Sequence, residues 1–309
     1  MIAIACVPLL VSVVLWLAGP RLGRHLPARA ATVLLTVAAL AAALATGLVL
    51  AAAGFLVLAT DPRLAAAAHL SAAALRAADP VPAAVGLVAG VTVLVLLVAS
   101  SVRAIRAISE LTSAALACRR LGPAPGGLVV VDDARPAAYT VPGLSGRMVV
   151  TTSMLRALPP EERRALLAHE AAHLDHHHVV YVQLASLAAA ANPLLRPTAG
   201  AVRVAAERWA DDVAAQRTGD RRLVATALAR AGLARAGDPT RMPAAALAAV
   251  DTALGQRIEA LLAPQRQHRT VTVATVVLMT VGCVVSGTVI GRAAHDAVEL
   301  AQSVYAQTR

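Results

Sequence analysis

Four long apolar runs restrict the fold of this chain more than any other feature: Ile2 to Ala18, Ala30 to Ala59, Val81 to Ala99 and Val271 to Ile290. Each is long enough, or nearly so, to cross the ~30 Å hydrocarbon core of a bilayer. Lipid offers no partner for a backbone N–H or C=O, so a crossing segment must satisfy these groups internally, and all four runs are predicted helices. The second run exceeds what a bilayer needs and is expected to tilt or to extend beyond the lipid. The composition agrees, with 58% hydrophobic residues, 15% charged residues and a mean hydropathy of +0.67, values that call for lipid as the solvent. Ala, Val and Leu must supply the apolar area, because only 2% of residues are aromatic. A secretory signal carries its positive charge before the apolar stretch, whereas here Arg21, Arg24 and Arg29 follow it, so the first run reads as an uncleaved span.

The net charge is +10, and every basic residue is Arg. These Arg residues flank the apolar runs, which favours an anionic membrane surface over nucleic acid as the partner, and no direct nucleic-acid binding is expected. Arg21, Arg24 and Arg29 follow the first span, Arg103, Arg106, Arg119 and Arg120 follow the third, and Arg266 and Arg269 precede the fourth. Between spans two and three, Arg63 and Arg76 are offset by Asp61 and Asp79. Basic loops stay in the cytoplasm, so the N-terminus is expected outside a cell membrane and the large segment from about Ser100 to Arg269 inside. Cys6, Cys118 and Cys283 show no C-x-x-C spacing, which argues against a disulfide framework and a thiolate metal site.

Within that segment, Gly and Pro from Gly122 to Gly127 mark a loop. Leu128 to Val131, Ala138 to Val141 and Arg147 to Thr151 have β-type patterns, with a bend at Pro142 and Gly143, and Gly146 beyond it, joining the last two. A helix is predicted from Pro160 to about His178, with Pro suited to the first turn and Glu161 and Glu162 set against the positive end of the dipole. A second spans roughly Ala199 to Gln216, and Ala-rich helical stretches lead on to the last span. Val179 to Leu195 is about as long as the shortest spanning helices, but a crossing would put the two motifs described next on opposite sides of the membrane. It is therefore read as a buried or interfacial helix.

On the first of these helices stands His169-Glu170-Ala171-Ala172-His173. Positions i and i+4 share a helix face one turn apart, so two imidazoles can reach one tetrahedral zinc, with Glu170 beside them as general base toward a water. Glu207, 34 residues beyond His173 on the second helix, supplies a third ligand. Two His and one Glu leave a fourth position open, the arrangement of a catalytic rather than a structural zinc site. Asp211, four residues past Glu207 on the same face, is placed to hydrogen-bond a ligating imidazole, with Asp212 as its substitute. One zinc per chain is expected. His176, His177 and His178 read as a solvated helix end, since His177 is about 12 Å along the axis from His169 and one ion cannot bind all three. Ala138 to Pro142 is a candidate edge for main-chain pairing with a peptide substrate, and Tyr139 a candidate oxyanion donor, although an ordinary buried Tyr is the preferred reading.

His169-Glu170-Ala171-Ala172-His173-Leu174, then Asn192-Pro193-Leu194, then Glu207-Arg208-Trp209-Ala210-Asp211, in that order and with three spans before and one after, resemble the BlaR/MecR-type integral-membrane metallopeptidases (peptidase family M fifty-six). The resemblance covers nearly the whole chain. It implies His169, His173 and Glu207 as ligands, Glu170 as catalytic base, and a cytoplasmic DNA-binding repressor as substrate. Sensor-type members often carry Cys where this chain has Ala210. Nineteen residues follow Ile290, so the penicillin-binding sensor of the best-known members is not expected. HtpX-type quality-control proteases share the ligand pattern and the stretch resembling Tyr139 to Gly143, but usually place two spans before the site.

The fold expected is a mainly α membrane protein with a cytoplasmic α+β, zincin-like (gluzincin) metallopeptidase domain inserted between the third and fourth spans. The boundaries are 1–101 for three spans, 102–269 for the domain, 270–291 for the fourth span and 292–309 for a short extracytoplasmic tail. The activity expected is a regulatory zinc endopeptidase acting on a cytoplasmic protein, with membrane quality control and a non-catalytic scaffold bearing a relict site as the alternatives. The sequence leaves the oligomeric state open.

Overall fold

The computed structural model describes residues 2–78, 82–120, 124–142, 146–236, 254–263 and 270–307. Expectations resting on Val81, Gly122, Gly143, Arg266, Arg269 and the Ala-rich stretch 237–253 lie outside the described residues. The chain opens with the long helices α1 (Ile2–His25) and α2 (Ala28–Ala59), continues through the short helices α3 (Pro62–Ala67) and α4 (Ala72–Ala78), and enters α5 (Ala83–Arg120). Strands β1 (Leu128–Val131), β2 (Ala138–Val141) and β3 (Arg147–Thr151) follow, with the bounds the sequence predicts. Then come α6 (Thr152–Ala157), α7 (Pro160–Asp175), α8 (His178–Ala191), α9 (Arg196–Thr218), α10 (Arg221–Ala236), a helical segment α11 (254–262) and α12 (Thr270–Gln307). Among the described residues α1, α2, α5 and α12 are long and apolar enough to cross a membrane.

α5 and α12 outrun their apolar runs furthest. The boundary expected at 101/102 falls inside α5, and the tail expected at 292–309 is helical through Gln307. The residues that follow these two runs contain no Pro, and apart from Gly291 no Gly, and include many helix formers, so hydropathy ends the span but not the helix. The two 38-residue helices are each about 57 Å long, well beyond a bilayer.

Small side chains let the long helices approach closely. A Cβ on Gly54 of α2 would sit 2.7 Å from Gly90 Cα of α5, so the two backbones touch where only glycine fits. Pro8 in α1 has no N–H to donate to the Ile4 carbonyl, and Ser286 Oγ of α12 donates to that carbonyl instead, at 2.6 Å.

The stretch read as a buried or interfacial helix packs among the long apolar helices, with Ala185, Ala188 and Ala189 buried against α1 and α2 residues. α8 runs into the apolar bundle, turns at Asn192-Pro193, and α9 returns beside α1. Pro193 disfavours helical backbone at Asn192, whose Oδ1 instead accepts the Leu194 N–H at 3.2 Å. Asn192 Nδ2 donates to Ser12 Oγ at 2.8 Å, with Thr46 Oγ1 3.5 Å beyond, and all three residues are buried. Ser12 lies 13 residues, about 20 Å, from the His25 end of α1, so the hairpin tip is deep among the apolar helices. On the return, Thr198 Oγ1 donates to the Leu15 carbonyl at 2.8 Å, and Arg208 Nη1 caps the free Gly23 carbonyl at 2.8 Å at the end of α1.

The sheet has the order β1-β3-β2, with β1 parallel and β2 antiparallel to β3. β3 is thus central, carrying buried Val149 and Val150, and β2 is an edge strand. Leu166 of α7 packs with Val150, Met154 and Leu158 against it, which orients α7.

Candidate metal centre

α7 starts at Pro160 with Glu161 and Glu162 in its first turn and buries Ala165, Leu166, His169, Glu170 and Ala172. It ends at Asp175 rather than near His178, because His177 adopts left-handed backbone (φ 49°) and α8 begins afresh. α9 lies against α7 and presents Glu207 and Asp211, one turn apart, toward His169 and His173.

The three predicted ligands converge. His169 Nε2 and His173 Nε2 are 3.2 Å apart, and Glu207 places Oε2 3.7 Å from the first and Oε1 3.7 Å from the second. Ligands about 2.0–2.1 Å from a tetrahedral zinc are about 3.3–3.4 Å from one another, so the donor set fits the ion in type, number and spacing. Charge agrees: the carboxylates of Glu170, Glu207 and Asp211 outnumber the guanidinium groups that act on them, Arg257 and Arg235, so the site favours a cation.

Glu170 is buried beside His169, and burial raises its carboxyl above its ordinary value, opposed by His169, Arg235 and Arg257. Asp211 occupies its predicted place: His169 Nδ1 is 2.9 Å from its Oδ1. Burial would raise the Asp211 carboxyl, but hydrogen bonds from Arg257 and His169 hold it at about 2. The substitute, Asp212, instead pairs with Arg221 at 3.1 Å. Tyr139 is half exposed on β2, so the ordinary buried Tyr is overturned; among the described residues no hydrogen bond or ring contact joins it to the metal centre.

Sequence reasoning missed two groups. Arg257 on α11 reaches Asp211 with Nε and Nη2 at 2.8 and 2.7 Å and Glu207 Oε2 with Nη1 at 3.0 Å. Its only signal was that it sits in a helical stretch, one Arg among many. His178 was assigned to a solvated helix end, yet it is 2% exposed with Nδ1 2.9 Å from His173 Nδ1. Trp209 draws it in: the ring of His178 lies 4.7 Å from the indole, His176 stacks on it at 4.7 Å, and Arg29 of α2 lies 5.7 Å from its centroid. Only His177 is exposed, as a solvated end requires. Burial, reinforced by neighbouring histidines, lowers both His173 and His178 to about 3, so both rings are neutral.

Residues 106–227, from within α5 into α10, match the model of peptidase family M48. No curated protein and no solved structure matches the chain. The matched stretch contains His169, Glu170, His173, Glu207 and Asp211, and M48 peptidases are metal-dependent. The match supports a zincin-like metallopeptidase, and the four apolar helices fit a membrane protein. The BlaR/MecR subtype rests on the order of the motifs alone.

Proposed function

We propose that the chain is a membrane-embedded zinc endopeptidase that cuts protein substrates at the cytoplasmic face of the cell membrane. One observation carries the reading: His169, His173 and Glu207 bring one ligand atom each within 4.8 Å of one another, with a buried carboxylate, Glu170, adjoining them. These three residues would hold a zinc ion, which would supply a Lewis acid for polarising a peptide carbonyl and acidifying a water.

Glu170 takes the proton from the attacking water and hands it to the departing amide nitrogen. Burial suits it to the first step, because a raised carboxyl pKa makes the carboxylate a stronger base. Asp211 holds His169 through Nδ1, and Arg257 holds Asp211 and Glu207 in place. The outer edge of β2, which pairs with no other strand among the described residues, offers backbone groups for an extended peptide. Since α9 delivers Glu207 one residue from Arg208, which caps the end of α1, the centre sits where the apolar bundle ends, and substrates are cut close to the membrane.

The substrate class favoured is a cytoplasmic regulatory protein, a DNA-binding repressor by the BlaR/MecR resemblance. The Arg-rich flanks support a cytoplasmic catalytic domain with the N-terminus outside. The test compares new protein N-termini in cells carrying wild type and Glu170→Gln. A single Glu170-dependent cut in a cytoplasmic DNA-binding protein is expected. Many cuts across membrane proteins would point to HtpX-like quality control, and identical N-terminal profiles would sink the peptidase reading in favour of a scaffold with a relict site.

A further inference from the structure

We propose that His178 is the positioning residue for the metal ligand His173, accepting the His173 Nδ1–H at its own Nδ1 and so fixing the ligand's tautomer and ring plane. The inference rests on the metal-centre reading above and deepens it. A metal-binding imidazole donates its second ring N–H to an acceptor, which locks its orientation. For His169 that acceptor is the Asp211 carboxylate. For His173 the group at the same position is another imidazole, with the two Nδ1 atoms 2.9 Å apart.

Two ring nitrogens at that distance share one proton. His173 turns Nε2 toward His169 Nε2 and Glu207, so its proton is on Nδ1 and it is the donor. His178 Nδ1 is then the acceptor, and the His178 proton is on Nε2, a buried atom with no other hydrogen-bond partner among the described residues. The ring is held by packing instead: tilted against Trp209 at 4.7 Å and stacked on His176 at 5.9 Å.

The backbone makes this placement. Five residues beyond His173, an unbroken helix would point a side chain about 140° away around its axis. His177, at φ 49°, breaks α7 and turns the chain so that His178 swings back to the ligand. A non-glycine residue in left-handed backbone is uncommon and persists where its surroundings over-determine it. The two ligating imidazoles are therefore held unequally, one by a carboxylate and one by a neutral ring.

The test measures zinc affinity of the full-length protein in detergent micelles, by competition with a chromogenic chelator, together with the visible absorption of the cobalt-loaded protein. His178→Phe keeps a flat ring against Trp209 and removes the acceptor. His178→Asp loses the ring and keeps an acceptor. His178→Phe should weaken zinc binding roughly 10–100-fold and shift the cobalt spectrum, while His178→Asp stays within a few-fold of wild type. The reverse order, or equal losses in both, would make His178 a packing residue and overturn the proposal. If His178→Phe does not fold, His178→Asn and His178→Leu, matched in size, repeat the comparison with the same criteria. A wild type that binds no zinc removes the metal-centre reading, and this proposal with it; wild-type binding unaffected in His178→Phe removes only the role of His178.

Discussion

The Arg257 guanidinium grips both oxygens of Asp211, with Nε 2.8 Å from Oδ2 and Nη2 2.7 Å from Oδ1. Asp211 in turn faces His169 Nδ1, so a residue 88 positions beyond the ligand decides how that ligand is held. α11 is fixed for this by Arg221, whose Nε and Nη2 donate to the Leu261 and Ala260 carbonyls at 3.0 and 3.2 Å, and by Leu261 itself, buried among α7, α9 and α10 residues.

Arg257→Ala should destabilise the protein by roughly 3–5 kcal/mol, because it takes the guanidinium from the 3%-exposed Asp211 side chain and leaves a buried charge with only the His169 contact. Arg257→Lys should recover little, since an ammonium cannot reproduce the two-pronged contact. Thermal unfolding in micelles checks both, and a lysine variant as stable as wild type would refute the fork geometry.

Asp211→Asn should weaken zinc binding by about 10–100-fold, whereas Asp212→Asn, which loses only its Arg221 partner, should leave it unchanged. Chelator competition on the purified variants decides. Equal losses would mean that either aspartate orients His169.

The metal-free protein should lose stability as pH falls below about 6.5. His173 and His178 are lowered from 6.5 to about 3 in the fold, so between these values the unfolded chain binds more protons than the native one. Stability is therefore present above 6.5 and is lost on acidification toward 3, by up to about 1.4 kcal/mol per pH unit for each ring. His178→Phe removes one ring and should flatten the slope. Unfolding midpoints between pH 7.5 and 5 that do not move would contradict the burial of these rings.

Gly54→Leu should break the contact of α2 with α5, since even a Cβ would come within 2.7 Å of Gly90 Cα, and overpacking costs about 1–3 kcal/mol or more. Gly47→Ala, in the same helix with nothing within 4 Å of its added Cβ, should be neutral or stabilising by about 0.4–1 kcal/mol. Protease resistance and unfolding midpoints of the two variants should diverge; equal behaviour would mean that the close crossing does not hold the helices together.

The sequence by itself determined what is local and periodic. Long apolar runs become helices because lipid leaves their backbone no other partner. Short β-type runs and turn residues set the bounds of all three strands, and the i, i+4 spacing of His169 and His173 places both imidazoles on one helix face. Glu207 and Asp211 were legible for the same reason, one turn apart on one face. Tertiary structure decided what depends on contacts distant along the chain. Arg257 carries no pattern of its own and gains meaning only when Leu261 docks α11 beside α9. His178 looked like a solvated end until the left-handed His177 and the Trp209 ring drew it inside. The α8–α9 hairpin could not be read from hydropathy, because an apolar stretch of that length suits an interfacial helix and a buried one equally. Its depth is set by Asn192, which buries a polar side chain only because Ser12, 180 residues earlier in the chain, waits there to accept its hydrogen bond.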